Sequence, residues 1–491
     1  MPSGVATTFG LPERILPYAC ACAALVDLVT FTLVLLFVMI LAVPVLPFLA
    51  LYGWLGLRRT FRLAKPPILL CLQPGLAEAY TLHKDDILGC FTSELPQELI
   101  LLDPAGTREM NCTAKDGTSI LSWATPKLCE LLFAMGLRET SAFLRELVVV
   151  PRLAIFVARR GIYCIRTMQH EHSALRGGIV GALLRLPLII EVAGNYEMLR
   201  RIKGRTIYFS LISRLYGLRT LIRLGNDWLL GWPMRRAFYV IGRNKNNYEH
   251  AFALGAPVER LTLIRIRMTS CYNSPEKSGQ RPLEGRYMLF VARMAPEKFP
   301  LDVLKVFQKL AGRYEDLRLV MIGDGTEFAA VKRMRETMSC RERVLLTGSL
   351  PSNEVLRWTQ HASLAFETYS GSALAEKLLC RVPVVAYDVE WMSEVVIEGY
   401  TGHLARFRNI DDAFDGCCRI LDHPDQAAQQ ALRGSELANV LFSAATIGRQ
   451  ERLLLEDAWS FAKNAHASGL RSGLAERDCT PAGSSPPDGE S

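Results

Sequence analysis

The sequence predicts an α/β protein of two doubly wound parallel-sheet domains, preceded by a membrane segment. Three observations carry this. Short apolar runs alternate with helical patterns in both halves of the chain. A polar stretch rich in Pro, Gly and Ser, Cys271 to Gly285, separates the halves. Residues 28–57 carry no charged side chain. A chain of 491 residues is long enough for two or three domains.

The chain is read from its start as follows. Residues 15–57 are apolar, with Asp27 the only charge. A spanning helix needs about 20 such residues, so 1–65 is expected to be a membrane anchor and basic linker. The run is too long, and its leading residues too nearly neutral, for a secretory signal. Arg58, Arg59, Arg62 and Lys65 follow it, against Glu13 and Arg14 in front. The positive-inside rule then places everything after residue 58 in the cytoplasm, at the inner membrane. Pro44 and Pro47 interrupt the run, which leaves a kinked span and a re-entrant hairpin both open. The 13 cysteines show no paired metal spacing and fit a reducing compartment.

The first globular half is expected over 66–273, as the acceptor-side domain. Strands are read at Pro66 to Leu72, Glu98 to Asp103, Tyr163 to Arg166, Leu188 to Gly194 and Phe238 to Gly242. Helices fall between them, at Ala174 to Arg185 and Asn244 to Leu254. Most of 73–160 gives no assignable pattern. Residues 151–250 hold 17 Lys and Arg against 5 Asp and Glu. Within them, Leu211 to Leu224 reads as a basic amphipathic helix suited to an anionic membrane surface. A core-facing helix with a solvated basic edge fits the same pattern. No nucleic-acid module is recognisable, so nucleic acid is not an expected partner. His170, Glu171 and His172 lack further ligands at metal spacing and read as a loop near the cleft. Glu191, Gly194, Asn195 and Glu197 lie at a strand end, with the last three as acceptor-side candidates.

Residues 274–285 are the linker, and the second half opens at 286. Strand Tyr287 to Ala292 leads to Arg293 and Lys298, and helix Leu301 to Tyr314 follows. Strand Leu317 to Ile322 leads to Gly323 and Gly325, then to a helix through Met338. Strand Val344 to Thr347 and helix Asn353 to His361 come next. Open sheets of this kind bind ligands beyond the carboxyl ends of their strands.

The stretch from Phe366 to Leu404 is the centre of this half. An apolar strand, Ser363 to Phe366, runs into the turn Thr368, Tyr369, Ser370, Gly371 and Ser372. A short helix, Ala373 to Cys380, follows and contains Leu374 and Glu376; an apolar strand, Val382 to Ala386, comes next. Free N–H groups at such a helix start attract phosphates. Glu376, one turn further in, is placed for a sugar's hydroxyls. A diphosphate joined to a ribose is the ligand these features expect. An ordinary βαβ unit with a polar helix start fits this segment equally well. Two cations past a strand end would neutralise a diphosphate, at roughly 1.5–3 kcal/mol per charge-assisted bond.

The constellation resembles the family 4 glycosyltransferases of the GT-B fold, closely over 281–405 and loosely over 160–270. The family's Gly-Arg-Leu and Glu-Lys stand here as Ala292-Arg293-Met294 and Glu297-Lys298. Its Gly-x-Gly turn is Gly323 and Gly325. Its donor motif has two glutamates with seven residues between, then Pro-Val-Val-Ala. The second glutamate is Glu376, followed by Pro383 to Ala386. The first position holds Thr368, with Glu367 one place off. Many relatives have a His where this chain has Ala193. The Ala-Tyr-Asp and Trp-x-x-Glu run, 386–394, looks like a subgroup that builds cell-surface glycans.

The resemblance implies a GT-B fold of two Rossmann-like domains facing a cleft. It implies retaining, metal-independent transfer from a nucleotide-sugar, with no cofactor. Arg293, Lys298 and Glu376 are then the catalytic candidates. Gly323, Gly325 and the stretch 368–374 join Glu376 as donor-binding residues. The donor domain is expected over 286–440. A helix over 441–466 is expected to return to the first domain, and 467–491 reads as a disordered tail. The functional expectation is a membrane-associated glycosyltransferase acting on a lipid-linked or glycan acceptor in cell-surface polysaccharide synthesis. A catalytically inactive transferase-like scaffold and a sugar-nucleotide epimerase are the alternatives.

Overall fold

The computed structural model describes residues 61–74, 76, 98–114, 117–135, 137–193, 219–268, 279–369 and 371–467. They form two sheets. The first has eight strands: β1 Ile68–Leu72, β2 Glu98–Gly106, β3 Met110–Thr113, β4 Ser119–Ala124, β5 Cys164–Thr167, β6 Leu188–Val192, β7 Tyr239–Gly242 and β8 Leu261–Leu263. Their order is β3-β4-β2-β1-β5-β6-β7-β8. All neighbours are parallel except β3, which runs antiparallel to β4. All five residues of β1, ILLCL, are buried, as a central parallel strand covered on both faces requires.

Five described helices serve this sheet: α1 Lys127–Ala134, α2 Arg138–Arg160, α3 His172–Leu184, α4 Arg219–Arg236 and α5 Lys245–Ala253. The hairpin β3–β4 and the pair α1–α2 occupy the region in which the sequence offered no pattern. In β3 half-buried and exposed positions alternate and none is buried; the strand sits at a sheet edge, so little apolar periodicity is needed. The expected basic helix at 211–224 falls largely outside the described residues, and α4 covers only its last part.

The second sheet has six parallel strands: β9 Tyr287–Val291, β10 Arg318–Ile322, β11 Val344–Gly348, β12 Leu364–Glu367, β13 Val384–Tyr387 and β14 His403–Ala405. Their order is β11-β10-β9-β12-β13-β14. Helices α6 Pro300–Ala311, α7 Phe328–Thr337, α8 Ser352–Gln360 and α9 Ser372–Leu379 alternate with the strands. Beyond β14 come α10 Ile410–Asp422, α11 Pro424–Leu441 and α12 Ala444–Ala467. Asn409 caps α10 by accepting from Asp412 N at 3.0 Å, and Pro424 starts α11 at a position where its missing N–H is harmless.

The chain crosses between sheets twice. Ile266 and Met268, just past β8, pack with Leu374, Trp391 and Phe442 of the second half. From Phe442 the chain returns, and α12 sets Ile447, Leu455, Ala458 and Ala462 against Leu69, Leu101 and Ile189 of the first sheet. Tyr239 OH donates to Asp457 at 2.9 Å.

The apolar run 15–57 and the tail from 468 lie outside the described residues, as does linker segment 269–278. Among the described residues no helix is long and apolar enough to cross a membrane.

Candidate functional site

Strands β9 and β12 are neighbours at the centre of the second sheet, and the chain winds away from them in opposite directions. Their carboxyl ends therefore flank a crevice at the point where strand order reverses. The loop after β9 carries Arg293, Glu297 and Lys298; the turn after β12 carries Thr368 to Gly371.

Two glycines shape the first loop. Gly323 and Gly325 adopt φ of +135° and +153°. A Cβ on Gly323 would stand 2.0 Å from Ala292 O, and one on Gly325 would stand 2.5 Å from Met294 O. Met294 N donates to Asp324 O at 2.9 Å, and Glu327 N to Met294 O at 2.8 Å. The glycine turn thus braces the backbone that presents Arg293 and Lys298.

Arg293 is 68 % exposed and donates from Nη2 to Glu297 Oε1 at 2.9 Å, while the Glu297 side chain is buried. Lys298 reaches the turn itself. Its Nζ lies 3.5 Å from Tyr369 O and 5.1 Å from the Tyr369 ring centre. A Cβ on Gly371 would stand 3.3 Å from the same nitrogen. Burial pulls the Lys298 ammonium below its ordinary range; Glu367 opposes that shift and Arg293 adds to it. A cation held so is strengthened by an arriving anion.

Gly371, the residue before α9, is extended and has no side chain with which to cap the helix. Ser372 is exposed and Ala373 half-buried, so the first turn of α9 opens beside Lys298. Glu376 is half-buried one turn in, and Leu374 is fully buried in the core beneath. Leu374 therefore has only its backbone to offer a donor. Ser370 lies outside the described residues.

Thr368 and Glu367 take roles that the sequence pattern did not disclose. Thr368 is buried, and its hydroxyl donates to Lys298 O, tying the two loops together. Glu367 ends β12, buried in an ion pair with Lys377. Tyr369 is buried too; its hydroxyl donates to Glu390 Oε1 at 3.0 Å, and Glu390 holds a left-handed φ of 59°. Strand alternation alone could not assign these partners, since they depend on which loops meet.

Glu394, in the Trp-x-x-Glu run, ties the two halves together. It accepts from Arg265 Nη2 at 2.6 Å and from Lys245 N, at the start of α5, at 2.9 Å. In the first sheet the carboxyl ends of β5, β6 and β7 are joined by charge. Glu191 is fully buried between Arg166 and Arg243. Glu451 of α12 accepts from Arg166 at 2.7 Å and from Arg243 at 3.3 Å. Glu191 is thus committed to two guanidinium groups. Gly194, Asn195 and Glu197 lie outside the described residues.

His170 is fully buried after β5, with its Nε2 3.3 Å from that of His250. Burial, with His250 beside it, lowers the His170 pKa to about 3. Burial and Arg176 lower that of His172 to about 4. Both imidazoles are therefore neutral at ordinary pH. Among the described residues there is no group of three or more His, Cys, Asp or Glu placed to hold a metal ion.

Residues 274–436 match the family described as "Glycosyl transferases group 1". The chain is 23% identical over 206 residues to an alpha-D-kanosaminyltransferase of Streptomyces kanamyceticus, covering 40% of this chain and 53% of that one. It is 22% identical over 294 residues to a GDP-mannose-dependent alpha-(1-6)-phosphatidylinositol monomannoside mannosyltransferase of Mycolicibacterium smegmatis, covering 55% and 72%. It spans about half the length of the first curated relatives it matches. Among solved structures, Anabaena HepE in complex with UDP superposes with a TM-score of 0.58 at 14% identity, over 80% of this chain and 100% of that one. The sucrose-phosphate synthase of Thermosynechococcus elongatus gives 0.59 at 15%, over 80% and 99%. Residues 274–436 are a glycosyl transferases group 1 domain, set in a GT-B-like fold of two parallel-sheet domains.

Proposed function

We propose that this chain is a retaining, metal-independent family 4 glycosyltransferase that moves a sugar from a nucleotide-sugar to a lipid-linked or glycan acceptor. One observation carries the reading: the Lys298 ammonium meets the open first turn of α9 at the switch point of the second sheet. A diphosphate seated there would meet backbone N–H dipoles, Lys298 and Arg293 together. The same groups would stabilise charge that grows on the diphosphate as the sugar departs. Glu376 is one helical turn away, within reach of a ribose. HepE, similar in fold, is described in complex with UDP and with UDP-glucose, and these ligands fit the same chemistry.

Membrane association at the cytoplasmic face of the inner membrane, and a place in cell-surface polysaccharide synthesis, belong to this proposal. Support comes from the uncharged run 28–57 and the four cations that follow it. Transfer of radiolabel from a panel of nucleotide-sugars into membranes, with the anomeric configuration of the product read by NMR, tests the reading. No transfer from any donor, or inversion at the anomeric carbon, contradicts it.

A second reading has its own observation. Thr368 and Glu367 are both spent on internal contacts, which fits a transferase-like scaffold without catalysis. Calorimetry with UDP and GDP separates the two, because a scaffold has no need to bind either.

A further inference from the structure

We propose that Glu390 reads the sugar of the donor and selects one without an acid group, a neutral or amino hexose rather than a uronate. The inference rests on the diphosphate pocket proposed above and names the sugar class that this pocket takes.

A sugar joined to a diphosphate starts one bond beyond the outer phosphate, so it falls against the walls of the pocket itself. Two polar groups at the end of β12 are already committed, Glu367 to Lys377 and Thr368 to Lys298 O. Tyr369 leads to another. Its ring centre stands 5.1 Å from Lys298 Nζ, and its hydroxyl donates to Glu390 Oε1 at 3.0 Å. Burial and Glu390 push the Tyr369 phenol up, so it keeps its proton and orients the carboxylate. Burial lowers the Lys298 pKa, and Glu390 is among the carboxylates that oppose this. Glu390 thus stands on the same pocket as Lys298, just past the end of β13.

The loop after β13 is built to hold that carboxylate in place. Glu390 takes a left-handed φ of 59°, a region that residues with a side chain enter at a cost. Trp391, next in the chain, is buried with Ile266 and Met268 and meets the Phe442 ring edge-on at 5.8 Å. Glu394 then accepts from Arg265 Nη2 and Lys245 N. Segment 388–394 therefore runs from the Tyr369 hydroxyl to the contact with the first half. An ionised carboxylate accepts several hydrogen bonds at once, which suits the hydroxyls or amine of a hexose. The same charge repels a second carboxylate, so a uronate is refused.

Calorimetry of the full chain with matched ligands tests this. One series is UDP, UDP-glucose and UDP-glucuronate; the other is GDP, GDP-mannose and GDP-mannuronate. In the series whose diphosphate binds, the wild type should hold the uronate roughly tenfold or more weaker than its neutral partner. Glu390→Gln keeps the length of the side chain and an acceptor for Tyr369, and should shrink that gap to within about threefold. Glu390→Gly, for which a φ of 59° is unstrained, should shrink it likewise. A wild type that shows no such gap would overturn the proposal. So would a gap that survives both substitutions, with the bare diphosphate and both donors tightened alike, because Glu390 would then act on Lys298 alone. Binding of neither diphosphate would overturn the pocket itself, which the other outcomes leave standing.

Discussion

Lys298 is the residue on which the candidate site turns. Its ammonium is depressed by burial, so in the ligand-free protein the unfolded chain holds the proton more tightly. The apo fold should therefore gain stability as pH rises through the lowered Lys298 pKa toward the ordinary lysine value. Diphosphate affinity should move the opposite way, falling as Lys298 loses its proton. Calorimetry with a nucleoside diphosphate across alkaline pH checks this, and Lys298→Gln should abolish the slope. Arg293→Ala should remove transfer with the melting temperature unchanged, because the Arg293 side chain is largely exposed; near wild-type transfer would remove its assigned role. Residue types and spacing made Arg293, Lys298, the two glycines and Glu376 legible in the sequence. The tasks of Thr368 and Glu367 were not, because each is set by a partner, Lys298 O or Lys377, that only packing brings near.

At the scale of elements, the second sheet was readable almost strand by strand, because buried parallel strands are unbroken apolar runs punctuated by Gly and Pro. Boundaries moved by one or two residues, as when the strand read at Val382 to Ala386 became Val384–Tyr387. The edge hairpin β3–β4 and the pair α1–α2 stayed hidden: one is a short strand with half its face open, and the other shows apolar residues on both its inner and outer sides. The glycine turn gives a sharp test. Gly325→Ala forces a side chain into a left-handed-region backbone 2.5 Å from Met294 O. It should cost at least about 1–3 kcal/mol, measured by denaturant unfolding, and should weaken nucleotide binding by shifting the loop of Arg293 and Lys298. The junction of α12 with the first sheet gives another. Burial alone would raise the Glu451 pKa, but Arg166 and Arg243 hold it below the usual carboxylate range. Its stabilisation is present above the unfolded glutamate pKa and lost as pH falls through the folded one. Glu451→Gln leaves the charge of a buried cluster unbalanced and should cost about 3–5 kcal/mol at neutral pH, read as a lower urea midpoint.

For the whole molecule, Glu394 ties the second half to the first through Arg265 and the start of α5. Glu394→Gln should leave nucleotide affinity unchanged while loosening the pair of domains, seen as a larger radius of gyration in solution scattering; an unchanged radius would make the tie dispensable. The sequence pattern conveyed the two-domain plan and the order of its parts because periodicity and linker composition are local properties. It could not convey the tie, since Glu394 and Arg265 lie 129 positions apart. The claim beneath all of this is that Lys298 and the first turn of α9 make one diphosphate pocket. Calorimetry of UDP and GDP against the wild-type chain and Lys298→Ala tests it most directly. The account predicts saturable binding of one nucleotide to the wild type and a loss of about 1.5–3 kcal/mol, roughly 10- to 150-fold in Kd, in the variant. Equal affinity in the two proteins, or no binding to either, would contradict it.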